Sequence, residues 1–91
     1  KQSTGSLKLV VFPNPNNGLF KMNYNLNKPS TVTIKIMSSD GKIISERNFK
    51  KMPIGSHSFS EEIQEIVHSG IYLVQLKTDY ESVTQRIILN R

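Results

Sequence analysis

Cysteine and tryptophan are both missing from this chain. Without cysteine there can be no disulfide, no thiolate metal site and no Cys nucleophile. Without tryptophan, the exposed aromatic platform on which small β-sandwiches often hold sugars has to come from Phe and Tyr. Most of these fall on strand positions that face inward, and Tyr80, in the Thr78-Asp79-Tyr80-Glu81 turn, is the one ring expected in solvent. The longest apolar runs are far short of the ~18 residues of a membrane span. The polar opening Lys1-Gln2-Ser3-Thr4-Gly5-Ser6 has neither an initiator methionine nor the apolar core of a signal peptide. Residues 1–6 therefore read as a linker to an upstream part of a longer protein, and 7–91 as one domain.

What is present suffices for a fold. Ninety-one residues make one small domain that buries roughly two thirds of its unfolded surface. Leu, Ile, Val and Phe number 27, clear of the ~20% level that suggests disorder. Twelve Lys and Arg against seven Asp and Glu give a formal charge of +5, a balance that favours anionic partners. The bases are dispersed, however. Lys8, Lys21, Lys28, Lys35, Lys42, Arg47, Lys77 and Arg86 stand singly among strand residues, and only Lys50 and Lys51 adjoin. This pattern fits a solvated strand face protected from edge pairing. It does not fit nucleic acid, because no stacking aromatics are interleaved with the bases.

Alternation with period two dominates. Val32, Ile34 and Ile36 share one face while Thr31, Thr33 and Lys35 share the other; Phe20, Met22, Tyr24 and Leu26 repeat the scheme. Further strands are expected over 7–12, 57–61, 70–78 and 82–89. Asp40-Gly41, before Lys42-Ile43-Ile44, predicts a hairpin with a two-residue type I′ turn. Pro29 with Ser30, Pro53-Ile54-Gly55, Ser69-Gly70 and Thr78-Asp79 punctuate the rest. Helical spacing occurs only over 61–68, where Ile63, Ile66 and Val67 predict a single turn. About seven short strands at regular spacing predict an all-β fold, a small antiparallel immunoglobulin-like β-sandwich.

Catalytic chemistry finds little support. His57 lies between Ser56 and Ser58, but neighbouring strand residues point to opposite faces, so no Ser-His pair arises locally. His57 and His68 read as ordinary surface or strand-end histidines. No metal-ligand spacing occurs, and Asn14, Asn16 and Asn17 are explained by their preference for turns. Glu61, Glu62 and Glu65 form a small acidic cluster that reads as a solvated turn. No enzyme activity, cofactor or metal is expected.

Three segments carry the identifying pattern. An apolar strand runs into Phe12-Pro13-Asn14-Pro15 and restarts after Gly18; the two prolines lack backbone donors and Gly18 accommodates positive φ. Gly70-Ile71-Tyr72 opens a later strand, and Gln85-Arg86-Ile87-Ile88-Leu89-Asn90-Arg91 is a basic terminal strand. In this order, with the Asp40-Gly41-Lys42 hairpin between them, they resemble the type A C-terminal sorting domain of the Bacteroidetes type IX (Por) secretion system.

The resemblance implies a C-terminal address on an exported protein. The cargo would pass through the periplasm to the cell surface or medium. An outer-membrane type IX translocon and its shuttle protein would read the address, and a sortase-like protease would remove it. The positions matching the motif are Pro13, Asn14, Pro15, Gly18, Gly70 and Tyr72. Arg86, Ile87, Ile88, Leu89 and Arg91 form the terminal segment, with Arg86 and Arg91 as the expected translocon contacts. Strand addition to that segment would supply main-chain affinity. The competing reading is an adhesion or carbohydrate-binding sandwich retained on a secreted protein.

Overall fold

The computed structural model describes residues 7–63 and 68–90. Seven strands follow one another: β1 (Leu9–Phe12), β2 (Leu19–Leu26), β3 (Ser30–Ser38), β4 (Ile43–Met52), β5 (Gly55–Glu62), β6 (Gly70–Thr78) and β7 (Ser82–Leu89). They form an antiparallel sandwich of a three-stranded sheet, β1-β2-β5, and a four-stranded sheet, β4-β3-β6-β7. The expected β-sandwich is thus what the chain builds. Its fourth strand lies in the second sheet, whereas an immunoglobulin constant domain keeps that strand in the first. No helix among the described residues is long and apolar enough to cross a membrane.

The core follows from the alternation. Phe20, Met22, Tyr24 and Leu26 face Val32, Ile34, Ile36, Tyr72, Val74, Leu76, Ile87 and Leu89, all buried. Because side chains alternate across a strand, a one-residue slip would turn these sets out to water, so burial fixes the register. β2 pairs with β5 from Leu19↔Glu62 to Leu26↔Gly55, and β6 with β7 from Gly70↔Leu89 to Lys77↔Ser82.

Three local expectations are corrected. The hairpin after β3 is not a two-residue type I′ turn, since Gly41 has φ +96° and Asp40 is not among the positive-φ residues. The Gly41 amide instead donates to the Ser38 carbonyl at 3.0 Å and the Ser38 amide to the Lys42 carbonyl at 2.8 Å. This closes a three-residue loop, with a register shift in the adjoining strands, the next most common hairpin solution. β4 is far longer than Lys42-Ile43-Ile44, reaching Met52. Glu61 and Glu62 belong to β5 rather than to a helical turn, and Glu61 is buried rather than solvated. The rest of that expected turn, 64–67, lies outside the described residues, as does the 1–6 linker.

Candidate functional site

The motif segments, far apart in sequence, meet at one corner of the sandwich. The turn after β1 contains two cis X-Pro bonds, Phe12-Pro13 and Asn14-Pro15. Within it the Asn16 side chain accepts from the Gly18 amide at 2.9 Å and donates to the Pro13 carbonyl at 3.1 Å. This side-chain-to-backbone closure is what makes Asn favourable in turns. Gly18 takes φ 110°, as its place after the turn predicts, and its carbonyl accepts from the Ile63 amide at 2.8 Å. β2 then starts at Leu19.

This turn lies against the free edge of β7. A carboxamide carries the same donor and acceptor as a peptide group, and Asn14 uses both: Nδ2 donates to the Arg86 carbonyl at 3.2 Å, and Oδ1 accepts from the Ile88 amide at 2.9 Å. The backbone of Asn16 continues the line, its amide donating to the Ile88 carbonyl at 3.0 Å and its carbonyl accepting from the Asn90 amide at 2.7 Å. Asn16 and Leu89 thereby form a parallel bridge. The outward backbone groups of β7 from the Arg86 carbonyl to the Asn90 amide are satisfied by a surrogate strand made from the turn. Strand addition along this part of the terminal segment, expected from the sequence, has no open edge to use.

Gly70 and Tyr72 join the corner from the other side. Gly70 pairs with Leu89 and Tyr72 with Ile87. The Tyr72 ring is buried, and its hydroxyl donates to the His68 carbonyl at 2.6 Å. This resembles the tyrosine corner of immunoglobulin-type sandwiches. Ile87 and Leu89 are buried, while Arg86, Ile88 and Asn90 face solvent. Pro13, Asn14, Pro15, Gly18, Gly70, Tyr72, Ile87 and Leu89 therefore converge as architecture. Arg86 and Ile88 present side chains outward, and Arg91 lies outside the described residues.

Sequence reasoning placed Asn14 in the motif and explained Asn14 and Asn16 by turn preference, but missed their grip on β7. Their i, i+2 spacing, interrupted by a proline that cannot donate, was the available signal. It also missed the opposite seam, where Arg47 Nε meets Glu61 Oε1 at 3.3 Å. The Glu61 side chain is 3% exposed and that of Arg47 is 52% exposed, so the carboxylate is held inside by a cation that reaches in from the surface. Beside this pair Phe49 and Phe59 pack edge to face with centroids 5.3 Å apart.

The remaining polar features are local. Asp79 accepts from the Thr31 hydroxyl at 2.6 Å and its amide donates to Ser30 Oγ at 2.8 Å; the Thr31 bonds hold its carboxyl below the ordinary value of 3.8. His57 lies against the Tyr24 ring at 5.4 Å, with Nε2 2.7 Å from the Pro53 carbonyl. No group of three or more His, Cys, Asp or Glu among the described residues is placed to hold a metal. Tyr80 is exposed as expected, with Lys28 Nζ 4.7 Å from its ring centroid on a face that a sugar would need; Phe12, not expected in solvent, is exposed as well, at 40%.

Compared with known protein families, residues 10–90 match the model described as the secretion system C-terminal sorting domain. No curated protein matches the chain.

Proposed function

The chain belongs to the secretion-system C-terminal sorting domain family, and from that premise we propose that it is the address by which a covalently linked upstream cargo passes the outer-membrane type IX translocon. The family is one of secretion signals rather than enzymes, and it implies delivery toward the cell surface or the extracellular space. In this reading the cargo reaches the periplasm first, a shuttle protein and the translocon engage the domain, and a sortase-like protease then cuts it from the cargo. The observation that carries the proposal is the extent of the family match, which spans every strand but the first residue of β1.

Residue roles divide along the geometry. Pro13, Asn14, Pro15, Gly18, Gly70, Tyr72, Ile87 and Leu89 serve by building the corner that holds β7. Arg86, Ile88 and the terminal Arg91 serve as contacts for the machinery. Adhesion or sugar binding gains no support from Tyr80, an exposed ring covered by Lys28.

The test is a soluble reporter with a Sec signal at its N-terminus and this chain at its C-terminus, expressed in a type IX-competent bacterium. The reporter is expected at the cell surface or in the medium, with the domain absent from the mature product. Equal periplasmic retention with and without the domain contradicts the proposal. A surface reporter that keeps the domain and binds a glycan supports the adhesion reading instead.

A further inference from the structure

The outward face of the four-stranded sheet changes character along its length, and the register shows where. One half is polar: Thr33 pairs with Lys77 and Asn48, Lys35 with Gln75 and Glu46, Gln75 with Thr84. In the other half Met37 pairs with Leu73 on one side and Ile43 on the other, and Ile71 pairs with Ile88. Leu73 and Ile71 are two apart on β6 and so share the face. Five aliphatic side chains thus form a continuous stripe across all four strands. Ile43, Ile71 and Ile88 are 50%, 46% and 46% exposed. Scattered surface aliphatics need no explanation, whereas a contiguous patch marks an interaction site. On the outer face of the other sheet Val10, Phe12 and Leu19 are exposed too, but each lies opposite a polar residue, Asn23, Lys21 and Glu62, rather than opposite another apolar side chain.

Charge identifies what covers the stripe. Arg86 stands opposite Leu73 within it, and Lys35 and Lys77 share the face, where Glu46 lies opposite Lys35 and Asp79 is bonded to Thr31 at the far end. Neither Arg86 nor Lys77 is paired with a carboxylate among the described residues. A two-fold dimer through this face would set one cationic surface against its copy, which like charges oppose. A lipid surface is ordinarily met with Trp and Tyr at the headgroup level, and the stripe contains neither.

Resting on the sorting role, we propose that this stripe is the surface by which the domain docks onto the export machinery, against a protein surface of aliphatic side chains bordered by Asp or Glu. Docking is face to face through side chains, because the neighbouring β7 edge from Arg86 to Asn90 is already filled by the turn. Arg86 sets the orientation by pairing with a partner carboxylate, and Ile71 and Ile88 supply the apolar contact.

The experiment uses the same Sec-signal reporter fusion, reading secreted fraction together with the melting midpoint of the purified domain. Ile71→Ser with Ile88→Ser, and separately Arg86→Glu, are expected to lower secretion about tenfold or more, as loss of an interface anchor does, at a near-native midpoint. Val10→Ser with Leu19→Ser, which removes two aliphatics that are each 55% exposed on the other sheet, is expected to secrete like the unsubstituted chain. Wild-type secretion from a folded stripe variant overturns the inference, and Arg86→Glu decides the matter if the double variant does not fold. Equal loss from the Val10 and Leu19 variant also overturns it. So does stripe-dependent self-association in sedimentation, or stripe-dependent flotation with phosphatidylglycerol vesicles. Failure of the unsubstituted chain to secrete the reporter is a different result, and it removes the sorting role itself.

Discussion

The two long seams of the sandwich are closed by opposite means. Where β1 meets β7, the Pro-Asn-Pro turn supplies amide groups that imitate a neighbouring strand, and every bond is between neutral groups. Where β4 meets β5, a buried carboxylate, a half-exposed guanidinium and two edge-to-face rings hold the sheets together. The first seam specifies geometry, because a surrogate strand fits one register. The second supplies contact and charge, which tolerate replacement if no group is left buried and unpaired. The terminal strand, which carries the proposed contacts with the export machinery, is fastened by the more specific device.

Core truncation should separate the seams most. Leu89 is 1% exposed, and Leu89→Ala should cost about 2–5 kcal/mol in denaturant unfolding. Phe59→Ala, at a half-buried position in the other seam, should cost less despite the larger side chain. Equal costs would remove the distinction.

Next in size is an asymmetry within the charged seam. Arg47→Ala leaves the Glu61 carboxylate inside without its partner and should cost about 1–3 kcal/mol. Glu61→Met frees Arg47 to return to water and should change stability by less than about 1 kcal/mol. Urea unfolding of both variants reads this directly, and a larger loss from Glu61→Met would show that the pair itself stabilises the fold.

Asn14→Ala removes two side-chain bonds to β7 and should cost about 1–2 kcal/mol, from the ordinary net worth of such bonds. Asn14→Asp keeps only the acceptor, so it should restore the bond from the Ile88 amide but not the one to the Arg86 carbonyl. An Asp variant as stable as the native chain would show that the donor side of the mimicry contributes nothing.

The smallest effect lies outside both seams. Hydrogen bonds from Thr31 depress the Asp79 pKa on folding. A carboxyl depressed in the folded state adds stability that is complete above its unfolded value and is lost as pH falls through the folded one. The melting midpoint should therefore decline below about pH 4 in part through Asp79, and Asp79→Asn should shallow that decline. An identical profile for the two proteins would assign the acid sensitivity elsewhere.

Much of this architecture was legible because burial and backbone chemistry leave marks in sequence. Val32, Ile34 and Ile36 alternate, so β3 was plain; Gly18 and the two prolines marked the turn. β4 was not legible beyond Ile44, because its later residues, Glu46, Arg47, Asn48, Lys50 and Lys51, alternate only weakly on an edge strand with little to bury. Glu61 was misread for a related reason: an acidic residue beside Glu62 looks solvated until a cation from another strand is seen to reach it. The grip of Asn14 on β7 joins residues 74 positions apart, so the asparagine spacing around Pro15 marks the turn but not the strand that it holds. Nor is the aliphatic stripe marked, since it exists only once register places Met37, Leu73 and Ile43 in a row.

The central structural claim is that the turn closes the edge of the terminal strand and leaves only its outward side chains exposed. Amide hydrogen exchange within β7 tests it, because Thr84 and Ile88 both direct their amides away from β6. The Ile88 amide donates to Asn14 Oδ1, whereas Thr84 lies beyond the reach of the turn. Slow exchange at Ile88 beside fast exchange at Thr84, with the Ile88 protection lost in Asn14→Ala, is the result predicted. Equally fast exchange at the two amides in the native chain would show that the edge is open and available for strand addition.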